Sequence, residues 1–195
     1  MDEYFTTCFK NKNKKIGCLF FRFQNYVIFI EYYACITKII DMFFKDFEIR
    51  WSDVDANRHL ANSAYINYMS HTRMAYLLEL GFDHRTMAIH EIGPVVFYEH
   101  VYYFKEAFPG KPIKVSLEIM GLSEDCMFFE FHHNFYNHKG ENIARCEMMG
   151  AWMDLKTRKL TGLTDEFLHT FSSIDKAEGF KVLTKEDSRK FARKP

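Results

Sequence analysis

The chain has 195 residues with 48% apolar side chains, and its 26 Lys and Arg balance its 26 Asp and Glu. This length is typical of a single domain, and the apolar content excludes a wholly disordered chain because it suffices to build a core. The balanced charge provides no basic surface for phosphate backbones, so we expect no nucleic-acid partner.

Residues 1–41 differ in composition from the rest of the chain. They hold three of the five cysteines and no proline or histidine. Arg22, Glu31 and Lys38 interrupt the apolar run in this segment, so we expect no stable membrane span. Two interpretations stay open: an extension that anchors the protein or binds a partner, or a stretch translated ahead of a true start at Met42. We favour the second.

The segment after Met42 predicts a half-buried strand. Apolar and polar side chains alternate from Phe43 to about Asp53, which is the period of a strand with one buried face. Phe47 and Trp51 lie on the apolar face of this prediction.

The pattern then changes to the period of a helix. Apolar side chains recur every three or four residues over residues 65–80 and leave little of the surface polar, which predicts a helix buried on most sides. Asn62 or Ser63 is placed to cap its start and Gly81 to end it.

Four further strands are predicted after the helix. Each segment is rich in β-branched and aromatic residues, and turn sequences separate them. The predicted strands cover residues 94–105, 113–122, 126–137 and 142–155. The third alternates between phenylalanines on a core face and Glu130, His132 and Asn134 on a solvated face.

This order of elements predicts an α+β domain over residues 42–160. In it, an antiparallel sheet curls around one long central α-helix. Residues 161–195 are predicted as two short surface helices, at 164–171 and 184–191, with a charged end.

The cysteines and histidines give no metal signature. Cys126 and Cys146 stand alone without a Cys-x-x-Cys pair, which argues against a zinc site and a disulfide framework and favours a reducing, cytoplasmic setting. His132 and His133 are adjacent on a predicted strand, so they point to opposite faces and cannot bind one ion. We therefore expect no metal and no cofactor.

The residues that suggest chemistry lie between the first strand and the helix. Residues 50–69 place Asp55 and His59 just before the helix N-terminus. Free amides and a partial positive charge there stabilise a developing oxyanion, and a nearby carboxylate can act as general base or nucleophile. Asp53 is expected to be structural and to pair with Arg50 or with nearby backbone.

This segment resembles the signature of hotdog-fold thioesterases of the 4-hydroxybenzoyl-CoA thioesterase type, which runs roughly Arg-x-x-Asp-x-Asp-x-x-Gly-His-Val-x-Asn-x-x-Tyr. The matching residues are Arg50, Asp53, Asp55, His59, Asn62 and Tyr65. The similarity covers about residues 43–155. It implies the hotdog fold and a homodimer or homotetramer.

The resemblance also implies a metal-independent hydrolase of acyl-CoA or acyl-carrier-protein thioesters. Asp55 falls on the family's catalytic carboxylate. The amide at about Asn62 would polarise the thioester carbonyl, with Tyr65 also at the substrate. The run of Asp55, Asn57 and His59 is similar to that of acyl-carrier-protein thioesterases, where all three residues are assigned to catalysis.

Three positions depart from the family pattern. Arg58 replaces the usual Gly, and Ala61 replaces an Asn. Ser70 and His71 stand where many relatives carry a helical Glu.

Two other functions stay open. Enoyl-thioester hydratases on the same fold use an Asp-x-Asn-Pro-x-His run, which is one residue longer than the run here, so the spacing favours hydrolysis. The missing helical Glu keeps a non-catalytic acyl-thioester-binding protein open as well.

Overall fold

The structure is a computed structural model that describes residues 42–174 and 176–192, and the backbone of four short strands before them. The chain divides into two compact units, residues 1–39 and 40–195. The first unit contains the antiparallel pairs β1 (Phe9–Asn11) with β2 (Lys14–Ile16) and β3 (Arg22–Phe23) with β4 (Tyr26–Val27). The two interpretations of residues 1–41, an extension or a stretch ahead of a start at Met42, concern residues that otherwise lie outside the described part of the chain. Both stay predictions.

The second unit contains one sheet and three α-helices among its described residues. The strands are β5 (Phe43–Phe47), β6 (Ile92–Tyr103), β7 (Ile113–Leu122), β8 (Phe128–Tyr136), β9 (Asn142–Asp154) and β10 (Lys181–Val182). The helices are α1 (Asn62–Glu79), α2 (His84–Ile89) and α3 (Asp165–Ser172). None of the helices in the described part of the chain is long and apolar enough to span a membrane.

The sheet has six strands, and its central ladder runs in the order β7, β8, β9, β6 with antiparallel pairing. β5 pairs antiparallel with the free edge of β7, and the short β10 pairs parallel at the far end of the same edge. The turn between β8 and β9 forms because Asn137 Oδ1 accepts bonds from the amides of Lys139 and Glu141. Each of the four strands predicted after the helix is present within two residues of its predicted bounds.

The first predicted strand is shorter than expected. β5 ends at Phe47, and a 3-10 turn occupies Trp51–Asp53. This turn breaks the alternation, so Trp51 is 92% exposed and does not face the core. Its physical cause is the pairing of Arg50 with Asp53 described below, which bends the chain away from the sheet.

Helix α1 spans 18 residues and packs against the sheet. Met69 and Thr72 are fully buried in its core-facing stripe, and the Tyr68 ring stacks on Phe47 of β5 with centroids 4.4 Å apart. Its opposite face is exposed, so the helix is buried on fewer sides than predicted. Gly81 follows its end with φ of 87°, as predicted for a residue that must adopt the left-handed region.

The predicted caps at the start of α1 are wrong. Ala61 is the N-cap residue and offers no side-chain oxygen to the first amides, while Asn62 and Ser63 lie inside the first turn. The helix therefore begins without the side-chain cap that is usual at this position.

The C-terminal elements are more buried than predicted. Phe167 and Phe171 of α3 are 4% and 0% exposed, and both pack on Phe82, so α3 is not a surface helix. The second predicted helix, 184–191, is only a 3-10 turn at Asp187–Arg189. Here Asp187 Oδ2 accepts bonds from both the amide and the hydroxyl of Thr184, which closes a tight turn.

The polar face of β8 is also buried. His132 and Asn134 are each 6% exposed, because partners on neighbouring strands cover them. Arg145 Nη2 donates to His132 Nδ1 at 2.6 Å, and Asn134 Nδ2 donates to Glu118 Oε1 at 2.6 Å. The expectation of a solvated face was therefore wrong.

His132 and His133 point to opposite faces of β8, as predicted. The His133 ring lies in the core and its Nδ1–H donates to the Ser116 carbonyl at 2.8 Å. Burial lowers the pKa of His133 to about 3, so this ring is neutral.

Candidate active site

Asp53 anchors the segment between β5 and α1. Its carboxylate accepts bonds from Arg50 Nε and Nη2, at 2.9 and 3.0 Å, and from the Arg50 amide at 3.1 Å. The Tyr68 hydroxyl of α1 donates to the same carboxylate at 2.7 Å. The bonds from Arg50 hold the pKa of Asp53 at about 2, and burial raises the pKa of Tyr68. Asp53 is structural, as expected, and it ties the loop to the helix.

Asp55 lies on a tight turn that follows this anchor. Its Oδ1 accepts bonds from the amides of Asn57 and His59, at 2.8 and 3.1 Å. The Asp55 amide donates to the His59 carbonyl at 2.9 Å, which closes the turn. Among the described residues, none donates a hydrogen bond to the second oxygen, Oδ2, and the side chain is exposed. This oxygen is available to a substrate or to water.

Arg58 adopts an unusual backbone conformation within this turn. Its φ is 66°, in the left-handed region where glycine is favoured. This explains why the family pattern has Gly at the position that Arg58 occupies.

The N-terminus of α1 lies beside the turn. Val54 and Leu60 form a β-bridge that places the two ends of the turn side by side, and the Ala61 amide donates to the Asp53 carbonyl at 2.8 Å. In the first turn of the helix, the Ser63 amide bonds to Asn62 Oδ1. The Asn62 amide has no acceptor within the described residues. It is an open donor at the positive end of the helix.

His59 connects the turn to the segment after β6. The ring is 29% exposed, and its Nε2 lies 3.5 Å from Glu106 Oε1. The edge of the ring meets Phe108, with centroids 5.0 Å apart. The Leu60 amide donates to the Ala107 carbonyl at 2.8 Å, which fixes the two segments together. Local spacing does not predict these contacts, because they join residues nearly fifty positions apart.

Tyr65 is more deeply buried than the other predicted site residues. It is 3% exposed, and its ring packs against Tyr103 and Phe135 at 5.0 Å. Burial raises the pKa of Tyr65 to about 12. The structure therefore brings Asp55, Asn57 and His59 together on one turn, with Asn62 at the adjoining helix start and Tyr65 one turn further in.

A partly buried ion pair lies between α1 and β6. Arg73 Nη1 is 2.8 Å from Glu99 Oε1, with the side chains 12% and 17% exposed. His71 is exposed and its ring meets the edge of Phe47. Arg73 is thus held by a partner within the chain, which sequence spacing alone does not reveal.

The described residues contain no group of three His, Cys, Asp or Glu side chains arranged to hold a metal ion. A cavity of about 350 Å³ lies at the other end of α1, where Tyr76 and Leu80 face Ile174. It is remote from the Asp55 turn.

The fold and the site together define a class. A sheet packed against a long helix, with a carboxylate beside the open start of that helix, is the architecture expected of hotdog-fold thioesterases. A family model described as the thioesterase-like superfamily matches residues 49–171. The chain belongs to this superfamily, which confirms the resemblance and the prediction of a thioesterase.

Solved structures show the same fold at low sequence identity. A DHNA-CoA thioesterase from Staphylococcus aureus is 20% identical, with a TM-score of 0.63 over 68% of this chain and 90% of that one. A hypothetical protein from Staphylococcus aureus, solved in complex with CoA, is 15% identical, with a TM-score of 0.66 over 80% and 97%. The probable thioesterase YbaW from Escherichia coli is 19% identical, with a TM-score of 0.59 over 68% and 98%. No curated protein sequence matches the chain.

Proposed function

We propose that this protein hydrolyses acyl thioesters carried by CoA or by an acyl-carrier protein, with Asp55 as the catalytic carboxylate. The observation that carries the proposal is the open Oδ2 of Asp55 beside the uncapped N-terminus of α1. The two groups that the reaction needs, a base or nucleophile and a donor for the oxyanion, meet at one place. Membership of the superfamily supports hydrolysis, and the relative solved with CoA supports a CoA thioester.

In the proposed reaction, the thioester carbonyl oxygen accepts a hydrogen bond from the Asn62 amide. The positive end of α1 stabilises the negative charge that develops on that oxygen. Asp55 Oδ2 takes a proton from a water molecule as the water attacks the carbonyl carbon, or attacks that carbon itself to give an anhydride that water then cleaves. The C–S bond breaks, the thiolate leaves, and a proton returns to the sulfur. A thiolate is a good leaving group, so the proposal requires no metal.

Asn57 and His59 have supporting roles in this proposal. Their amides hold Asp55 Oδ1, so the direction of the carboxylate is set by backbone. The side chain of Asn57 orients the carboxylate or the water, and His59 contributes a hydrogen bond or proton. Tyr65 forms part of the wall against which the acyl group lies.

We further propose a homodimer as the basic assembly, with pairs of dimers as the tetrameric form. β6 pairs with β9 on one side, and its other edge has no partner strand in the described part of the chain. Val96, Phe97 and Tyr102 on this strand are each at least 40% exposed. A long apolar edge is a template for pairing with a second strand, and a second copy of β6 satisfies it. Separately from the assembly, we propose a cytoplasmic location.

The substrate test is release of free thiol from a panel of acyl-CoA and acyl-carrier-protein thioesters of graded length, with aromatic acyl groups included. We expect release from at least one class. As a control reaction, hydration of the double bond of crotonyl-CoA is measured separately from release of its thiol. Hydration in the absence of thiol release identifies a hydratase, and tight acyl-CoA binding without either reaction identifies a binding protein. Both outcomes contradict the proposal.

A further inference from the structure

Trp51 is an exposed tryptophan on a rigid support. Its side chain is 92% exposed, whereas the other tryptophan of the chain, Trp152, is 1% exposed. The turn that carries it is fixed on both sides, because Arg50 and Asp53 pair across it and the Val54 amide donates to the Trp51 carbonyl. An aromatic face held in solvent by a fixed turn can stack on a planar ligand without further ordering of the backbone.

Arg58 is a second unusual residue of the same segment. It is exposed and occupies the left-handed region, at a position where the family pattern has Gly. Within residues 42–174 and 176–192, no carboxylate forms an ion pair with its guanidinium. A guanidinium without an ion-pair partner on an exposed turn is free to bind an anionic group.

Trp51 precedes the Asp55 turn, and Arg58 lies within it. The carbonyl of Asp53, at the end of the Trp51 turn, accepts a bond from the Ala61 amide, and the amide of Arg58 donates to the Asp55 carbonyl at 3.0 Å. Both residues therefore belong to the short segment that carries the proposed catalytic carboxylate, and we call this pair of exposed side chains its rim.

We propose that this rim binds the nucleotide end of CoA, with the Trp51 indole stacked on the adenine and the Arg58 guanidinium paired with a phosphate. The inference rests on the proposed function, since it assigns the carrier of the thioester. An aromatic face and a guanidinium are the two groups that bind a nucleotide in combination. An acyl-carrier protein has a phosphopantetheine arm but no adenine, so the stacking position favours CoA.

A second copy of the chain is the other occupant that an exposed tryptophan could have. The sheet argues against it, because β5, which leads into Trp51, pairs with β7, whereas the free edge proposed for dimerisation belongs to β6 at the opposite end of the sheet. The acrylamide measurement described below distinguishes this occupant from CoA.

The test uses tryptophan fluorescence of the full chain, titrated with CoA and separately with pantetheine. CoA is expected to quench the emission of Trp51. The difference in emission between the wild type and Trp51→Phe gives the part of the signal that comes from Trp51. Affinity for CoA is expected to fall at least about fivefold in Trp51→Ala and in Arg58→Gly. Arg158→Gly is the matched control, since Arg158 is also exposed with φ of 58°, but lies beyond the far end of β9. It should bind CoA as the wild type does.

Three results overturn the inference. They are pantetheine binding as tightly as CoA, wild-type affinity for CoA in both Arg58→Gly and Trp51→Ala, and shielding of Trp51 from acrylamide as the protein concentration rises without ligand. Fluorescence measures binding and not hydrolysis. Quenching by CoA without hydrolysis of any thioester would therefore refute the proposed function but not the proposed CoA site. Where hydrolysis is found, kcat/KM for acyl-CoA relative to acyl-pantetheine should fall at least about fivefold in both variants.

Discussion

Replacement of Asp53 with Asn tests how the loop that carries Asp55 is held. Asp53 is buried, and its carboxylate joins Arg50 to the Tyr68 hydroxyl of α1. Asn has nearly the same shape but no charge. The variant therefore removes the ionic part of the anchor with little change in packing.

The expected loss follows from the pKa of Asp53. That pKa is about 2 in the folded protein against 3.8 for a free side chain, so the ionised form stabilises the fold by about 2 kcal/mol at neutral pH. Because folding lowers this pKa, the stabilisation is complete above about pH 5, about half of it remains near pH 3, and it is lost as the pH falls through about 2. Asp53→Asn should lower the free energy of unfolding by about 2 kcal/mol at pH 7.

Urea denaturation of the wild type and the variant between pH 3 and pH 7 measures this directly. The difference between the two proteins should be constant from pH 5 to 7 and should shrink by about half at pH 3. Asp46→Asn is the control, because the Asp46 and Lys114 pair is exposed on both sides and 3.7 Å apart and should contribute less than about 1 kcal/mol. An equal loss in both variants, or a difference that does not vary with pH, would refute the reasoning.

Two further predictions concern packing. Gly150→Ala should cost about 2–3 kcal/mol, because an added Cβ would lie 2.5 Å from the Phe129 ring and 2.6 Å from the Val95 carbonyl oxygen. Gly140→Ala, with φ of 79° and open space around it, should cost only about 1 kcal/mol, and equal losses by urea denaturation would disprove the clash. Phe171→Ala should lower the free energy of unfolding by about 3–5 kcal/mol, because α3 belongs to the core. A loss below about 1 kcal/mol in thermal or urea unfolding would show that α3 is a surface helix.

The elements with a clear period could be predicted from the sequence. The strands from Ile113 to Asp154 and helix α1 follow local patterns of apolar spacing that the structure preserves. The turn with Asp55, Asn57 and His59 could be predicted too, since all three residues lie in one short segment. In these elements the local sequence is sufficient.

Two of the failures originate in contacts between different segments, and one originates in a local pair. Trp51 fits the strand alternation, but Arg50 and Asp53 pair across it and bend the chain there. The sequence around Phe171 predicts a short surface helix, but Phe171 packs against Phe82 in the structure. The strand alternation predicts a solvated His132, but Arg145 of the next strand covers its side chain. The outcomes for Phe171 and His132 do not follow from spacing alone, because each depends on which segment packs against which.

The catalytic role of Asp55 is the central claim, and one variant tests it most directly. In Asp55→Asn, the amide oxygen can still accept the two backbone bonds that form the turn, so the fold should be unchanged while the base or nucleophile is lost. Asp125→Asn is the matched control, because Asp125 also accepts a backbone bond on an exposed turn. On the best acyl thioester of the panel, kcat should fall by about 10²- to 10⁴-fold in Asp55→Asn and stay at the wild-type value in Asp125→Asn. Full activity of Asp55→Asn on every thioester that the wild type cleaves would contradict the account.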